Sequence, residues 1–156
     1  MLGRSRYFVQ NVLEVIFRHP VTAVSIFALN SENQIILTKR RDNRLWGLPG
    51  GMVKWGEDIP TTVERELAEE TGLELIKINR LVGVYSSPDR DPRLHSICIA
   101  VEVFAKGSIC VSDRHEVSEA QAFSLNYLAD QLPNQKLAHD HSRQLADYLS
   151  GNIAIL

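Results

Sequence analysis

Residues Gly51 to Leu73 read GMVKWGEDIPTTVERELAEETGL, and within them Glu64, Glu66, Glu69 and Glu70 crowd into a segment that otherwise has the pattern of an amphipathic helix. Asp58 is placed to cap it, Pro60 fits its first turn and Gly72 stops it, so the spacing predicts a helix from about Ile59 to Thr71. Ile59, Val63 and Leu67 recur at every fourth position and make one apolar stripe. Residues three and four apart share a helix face, so Glu66 stands beside Glu69 and Glu70, and like charges so placed cost a few tenths of a kcal/mol per pair. Something must compensate for that repulsion.

Outward from this segment the chain reads as one mixed α/β unit. Val21–Leu29 (VTAVSIFAL) and Gln34–Arg40 (QIILTKR) are β-rich runs separated by the turn-like cluster Asn30-Ser31-Glu32-Asn33, which predicts a hairpin. Leu45–Leu48 and Met52–Trp55 read as short strands flanking Pro49-Gly50-Gly51. Leu73–Tyr85, Ser96–Phe104 and Glu119–Phe123 each contain strand-like stretches, and Leu137–Leu149 reads as a closing helix. Strands interleaved with helices predict a sheet covered on both faces. Before Pro20, Phe8, Val12, Val15 and Ile16 fall near a helical period, so residues 1–20 are expected to form an N-terminal helix or arm ahead of a single domain over 21–156. Gln10, Asn11 and Glu14 interrupt that segment and no small-residue cleavage site follows, so it does not read as a removable leader.

Composition narrows the classes of function. A chain of 156 residues suits one domain with its own core. Seventeen basic residues against nineteen acidic ones leave a net charge of −2, too balanced for a nucleic-acid-coating surface. No apolar run is long enough to span a membrane. Cys98 and Cys110 have neither CxxC spacing nor a histidine motif, so they read as reduced thiols of a cytoplasmic protein.

The acidic helix has two readings from its residues alone. Glu66 and Glu70 lie about 6 Å apart along the axis, with Glu69 on the adjoining edge, so their carboxylates can converge on one point. Hard divalent cations such as Mg²⁺ take oxygen ligands and keep several waters, and such a face is half of their cage. The competing reading is a solvated acidic face neutralised by Arg65 and Lys54.

The surrounding spacing favours the first. From Gly51, five residues lead to Glu57, seven more to Arg65-Glu66-Leu67, then one to Glu69-Glu70 and one to Gly72-Leu73. This run resembles in full the signature of the Nudix hydrolases, a match that chance would produce in this length on the order of one time in 10⁸. The preceding Leu45–Gly50 (LWGLPG) and the strand order extend the resemblance from about Val21 to Leu128. It implies an α/β/α sandwich around a mixed β-sheet and hydrolysis of a nucleoside diphosphate linked to a further group. By resemblance, Glu66 and Glu70 are ligands of Mg²⁺, or of Mn²⁺ in its place, Glu69 is a ligand or water-mediated neighbour, and the Gly50 carbonyl is a further ligand. Glu57 and Arg65 are expected to form an ion pair that orients the acidic face. Family members often draw a general base from a later loop, here Asp113–Glu119; Glu116 is the first candidate and Glu119 the next, with Glu69 as the alternative and an inert surface loop as the competing reading. His115 can titrate near neutrality, though a lone loop histidine is more often solvated.

A second informative stretch is Tyr85–His95, YSSPDRDPRLH. Its two prolines and alternating Asp and Arg cannot form a central strand, so it reads as a stiffened charged loop. Arg90 and Arg93 can meet phosphate oxygens with a planar fork, or make local ion pairs in a structural turn. The loop resembles the SDPxRDPRxH segment of a group of Nudix ADP-ribose pyrophosphatases, departing from it at Ser87, and implies ADP-ribose as substrate, cleaved to AMP and ribose 5-phosphate. Other nucleotide substrates and a non-catalytic nucleotide sensor are the alternatives. Related Nudix sensors carry a winged-helix domain for which too few residues follow Phe123. Lys39, Arg40, Arg41 and Arg44 form a basic cluster that either faces substrate phosphates or is a solvated hairpin end. Trp46, Trp55, Tyr85 and Phe27 are candidates to stack on an adenine or to pack in the core. Family members are often homodimers, and the segment before Pro20 is the candidate for such a contact.

Overall fold

A computed structural model describes residues 19–91, 94–112, 115–131 and 136–156. The helix or arm expected over 1–20 falls almost wholly outside these residues, as does Arg93. Strand β1 (Val21–Leu29) is apolar on both faces, which is the composition of a central strand buried on two sides. Alternation does the sorting: Val24, Ile26 and Ala28 point into one core, Phe27 and Leu29 into the other. Around it run β2 (Gln34–Arg40), β3 (Trp46–Gly47), β4 (Glu74–Tyr85), β5 (Ser96–Lys106), β6 (Val117–Ser124) and β7 (Ala154–Ile155). They form a mixed seven-stranded sheet of order β3-β2-β1-β5-β4-β7, with β6 against β2.

Helix α1 (Ile59–Thr71) covers one face and closes a core of Val63 and Leu67 over Val24, Ile26, Ile36, Val101 and Val103. Helices α2 (Leu125–Gln131) and α3 (His141–Ser150) cover the other with Leu128, Leu145 and Tyr148 over Phe27, Leu37, Val82 and Tyr85. This is the expected α/β/α sandwich. Tyr148 stacks on Phe27 at 4.4 Å between ring centroids, and Tyr85 donates to Asp147 Oδ2 at 3.1 Å, which fixes α3 to the sheet. Among the described residues no helix is long and apolar enough to cross a membrane.

The capping residues behave as their chemistry requires. Asp58 accepts the Thr61 N–H at 2.9 Å, and Gly72 takes a left-handed conformation (φ 73) while its N–H closes on the Ala68 carbonyl. A side chain at Gly72 would also run into the Cys110 carbonyl.

One feature of the sheet creates the site. The expected hairpin pairs only at its base, Leu29 opposite Ile35; farther along, β2 takes β3 on that edge, Thr38 opposite Gly47 and Lys39 opposite Trp46, with β6 on its other edge, while β1 stays with β5. The edge of β1 so exposed is taken up by the segment 49–53: the N–H groups of Val24 and Ile26 donate to the Gly51 and Pro49 carbonyls, and Val53 N–H to Thr22. Met52–Trp55 is therefore not a strand as expected. Only Met52 makes a bridge, to Ala23, and the chain then turns through Gly56 at φ 84 with Trp55 wholly exposed. The closing helix begins at His141 rather than Leu137, since His139 has a positive φ of 52 that no helix interior accepts.

Leu67 is fully buried under α1 while Glu64 on the same helix is exposed. Leu67→Ala is expected to lower the unfolding free energy by about 2–5 kcal/mol and Glu64→Ala by less than about 0.5 kcal/mol, as measured by urea denaturation. Similar losses for the two would contradict the packing described.

Candidate active site

The gap between β1 and β2 opens as a cleft of about 470 Å³. Glu66, Glu69 and Glu70 of α1 line one wall with Gly50, Gly51, Arg65 and Glu116; Arg90, Asp91, His139 and His141 line the other.

Two glycines let the helix approach the loop. Gly50 has φ +148, and a Cβ there would sit 2.1 Å from the Val24 carbonyl oxygen. At Gly51 a Cβ would lie 2.3 Å from Glu66 Oε1, so the missing side chain is the space the carboxylate occupies. Gly50 also donates its N–H to Glu70 Oε2 at 3.0 Å.

Arg65 orders the acidic face. It donates to both oxygens of Glu57 (2.8 and 2.9 Å), to Glu66 Oε1 (2.6 Å), to Glu69 Oε2 (3.3 Å) and to the Met52 carbonyl (3.1 Å). Glu57 further accepts from Thr62 Oγ1 and the Lys54 N–H. The hydrogen-bonded guanidinium holds the Glu57 carboxyl down to about 2, and in return Glu57 raises Arg65 above its already high value. Glu66 is pushed up by burial, against the pull of Arg65. Glu70 is 6% exposed, and burial, reinforced by the charges of Glu66 and Glu116, pushes its carboxyl up to about 8.

Among the described residues no three acidic or imidazole groups already meet at one point. The donor set nonetheless suits a hard cation. Arg65 takes Oε1 of Glu66 and Gly50 takes Oε2 of Glu70, and among the described residues no hydrogen bond reaches Glu66 Oε2 or Glu70 Oε1. Charge repulsion at Glu70 is what a divalent ion would relieve.

The remaining expected residues separate by position. Glu116 lines the cleft near enough to act on Glu70, whereas Glu119 lies opposite Lys39 across β2 and β6, its carboxylate 3.8 Å from the ammonium. Arg40 lines the cleft with its guanidinium held by both oxygens of Asp42; Arg41 and Arg44 are exposed outside it. Arg90 reaches inward rather than outward. Its fork donates to both oxygens of Asp140 at 3.1 Å and to Ser96 Oγ at 2.7 Å, and its side chain is 8% exposed. Phe27 and Tyr85 are core residues, and Trp46 packs edge-on against Phe123. His115 is exposed and outside the cleft lining.

Sequence reasoning missed His139, Asp140 and His141, absorbed into the expected closing helix. His141 accepts the Leu48 N–H on Nδ1 at 2.9 Å, and burial pushes it down to about 3, so its ring is neutral with the proton on Nε2. Alternating His and Asp ahead of an apolar period was the available signal.

The NUDIX domain model matches residues 19–148. An ADP-ribose pyrophosphatase of Methanocaldococcus jannaschii is 42% identical over 139 residues, 86% of this chain and 76% of that protein. The NUDIX domain of Shewanella oneidensis NrtR, solved with ADP ribose, has the same fold: TM-score 0.73 at 23% identity, over 94% of this chain and 97% of that one. A bifunctional NMN adenylyltransferase/ADP ribose pyrophosphatase from Francisella tularensis, solved with AMP and a Mn ion, matches at TM-score 0.73 and 21% identity over 96% of this chain and 46% of its own. The chain belongs to the Nudix family.

A carboxyl raised by folding favours the folded state only while it is protonated. In the metal-free protein Glu70 therefore costs stability as pH climbs from 4.5, its ordinary value, through about 8. Glu70→Gln keeps an acceptor for the Gly50 N–H but cannot ionise. In chelator, the variant is expected to melt with wild type near pH 4 and above it at pH 8 (about 1.4 kcal/mol per tenfold change in proton equilibrium); parallel melting profiles would contradict the burial of an ionisable Glu70.

Proposed function

We propose that this Nudix pyrophosphohydrolase cleaves ADP-ribose to AMP and ribose 5-phosphate, using Mg²⁺ or Mn²⁺ held by Glu66 and Glu70 with the Gly50 carbonyl. The observation that carries the reading is the cleft itself, with Glu66, Glu69, Glu70 and Glu116 on one wall and the Arg90–Asp91 loop on the other. A pyrophosphate cannot approach such a carboxylate cluster without intervening positive charge. When bound, the cation would polarise a phosphoryl oxygen and lower the pKa of a coordinated water. Support for the substrate is the 42% identity to an ADP-ribose pyrophosphatase over most of the chain, together with an ADP-ribose-bound domain of the same fold. Support for the cation is the hard-oxygen donor set and the Mn-bound neighbour.

The chain's own groups then have distinct tasks. Arg65, anchored by Glu57, holds Glu66 and Glu69 against their mutual repulsion and aims them at the cleft. Gly50 N–H fixes the rotamer of Glu70. Glu116 accepts the proton of the attacking water; Glu119, tied to Lys39, is too far aside. As the water oxygen bonds to phosphorus, the bridging P–O bond breaks and its electrons leave with the other phosphate. Arg40 faces the substrate phosphates from β2. Arg90 shapes the opposite wall through Asp140 and Ser96 rather than gripping phosphate with its whole fork. The free thiols of Cys98 and Cys110 fit a reducing, cytoplasmic setting.

The test is phosphatase-coupled phosphate release with Mg²⁺ from ADP-ribose beside sugar nucleotides, dinucleotides and nucleoside triphosphates. Preference for ADP-ribose is expected, and equal turnover across the panel would overturn the substrate assignment. Glu70→Gln should lower turnover at least about 10²-fold, near 2.7 kcal/mol of transition-state stabilisation, with an unchanged circular dichroism spectrum. Loss of the fold in that variant would make Glu70 a structural residue instead.

A further inference from the structure

The wall opposite the carboxylates is held by a short segment that bridges two loops. Residues 137–141 lead into α3, whose first residue is His141, and four successive residues of the segment, Ala138 to His141, reach neighbours outside it. His141 accepts the Leu48 N–H at 2.9 Å, and Ala138 donates its N–H to the Trp46 carbonyl at 2.8 Å, so the segment is fastened to the strand end that leads into Pro49-Gly50-Gly51. Asp140 accepts two bonds from Arg90, and the His139 ring lies 3.6 Å from Asp91 Oδ2, so the same segment is fastened to the Tyr85–His95 loop. Gly47 is the residue that admits it: a Cβ there would stand 2.7 Å from His141 Nδ1. Gln144 Nε2 adds a second donor to Asp140 Oδ1 at 2.9 Å and keeps that carboxylate aimed at Arg90.

We propose that His141 and Asp140 are positioning residues: His141 sets the Leu48–Gly50 loop that bonds Glu70, and Asp140 sets the Arg90 loop that faces the substrate's far end. The bracket thereby fixes the distance between the reacting end of the cleft and its recognition wall. This rests on the reading of the cleft as a pyrophosphatase site. His141 acts through the backbone at Leu48, two residues from Gly50, and the ring is neutral because burial keeps it so. A neutral ring with Nδ1 as acceptor is the only tautomer that can hold an N–H there.

The experiment measures kcat and KM for ADP-ribose in His141→Leu, His141→Asn and Asp140→Ala, with the imidazole ¹⁵N spectrum of the wild type. His141→Leu is expected to lower kcat roughly 10- to 100-fold with little change in KM. In His141→Asn the amide oxygen takes the place of Nδ1 and recovers most of that loss. Asp140→Ala should raise KM by a larger factor than it lowers kcat. Equal impairment in the Leu and Asn variants, or losses that merely track lowered melting temperature, would overturn the proposal. If His141→Leu fails to fold, Gly47→Ala, which displaces the ring, must give the same kcat defect or the proposal fails. The spectrum should show Nδ1 unprotonated at neutral pH, and a protonated Nδ1 would refute the geometry whatever the activity. Should wild type leave ADP-ribose intact, the substrate reading falls separately. The bracket is then judged by amide exchange at Leu48, expected slow in wild type and His141→Asn and fast in His141→Leu, and refuted by equal rates in all three.

Discussion

One guanidinium keeps the acidic wall in order. Arg65 has a rigid fork of donors and spends it on Glu57, Glu66, Glu69 and the Met52 carbonyl, so a single side chain connects the loop before α1, the face of α1 and the cleft rim. A lysine in its place would offer one point charge without the geometry to satisfy four partners at once. The helix supplies the rest by periodicity. Val63 and Leu67 bury one side, and the same turn that buries them carries Glu66 and Glu70 to the cleft.

That order would have nowhere to face without the divergence of β1 from β2. Because β2 meets β1 only at the base of their hairpin and takes β3 beyond it, the edge of β1 is left for segment 49–53, and the backbone there is pressed between a strand and a helix. Gly50 and Gly51 follow from this squeeze. One would otherwise strike a β1 carbonyl and the other a Glu66 carboxylate. The cost of bringing carboxylates so close appears at Glu70, whose ionisation burial and neighbouring charge oppose. A site that disfavours its own charge is prepared for a cation, and the proposed chemistry depends on that preparation.

Much of this was legible in the sequence, for local reasons. The cap at Asp58, the stop at Gly72 and the apolar stripe follow from spacing within one helix, and the Glu57–Arg65 pair is what the family resemblance implies. The β-rich run Val21–Leu29 likewise announced the strand β1, though not its burial on both faces. What stayed hidden depends on partners far along the chain. Arg90 reads in sequence as either a phosphate contact or a local ion pair, and its partner Asp140, fifty residues on, is invisible from Arg90 itself. The hydrogen bond of His141 needs Leu48, and the short reach of the β1–β2 hairpin needs β3 and segment 49–53. Glu116 and Glu119 stand as successive candidates in one loop by sequence, and only the fold separates them, with Glu116 in the cleft lining and Glu119 opposite Lys39.

The proposed chemistry requires that the carboxylates of Glu66 and Glu70 together hold a divalent cation. The measurement that addresses it most directly is anomalous scattering from crystals of the protein equilibrated with Mn²⁺. The expected result is an ion in the cleft bonded to oxygens of both Glu66 and Glu70 at about 2.0–2.3 Å. A cleft without an ion at Mn²⁺ concentrations that sustain hydrolysis, or an ion held by other residues, would contradict it.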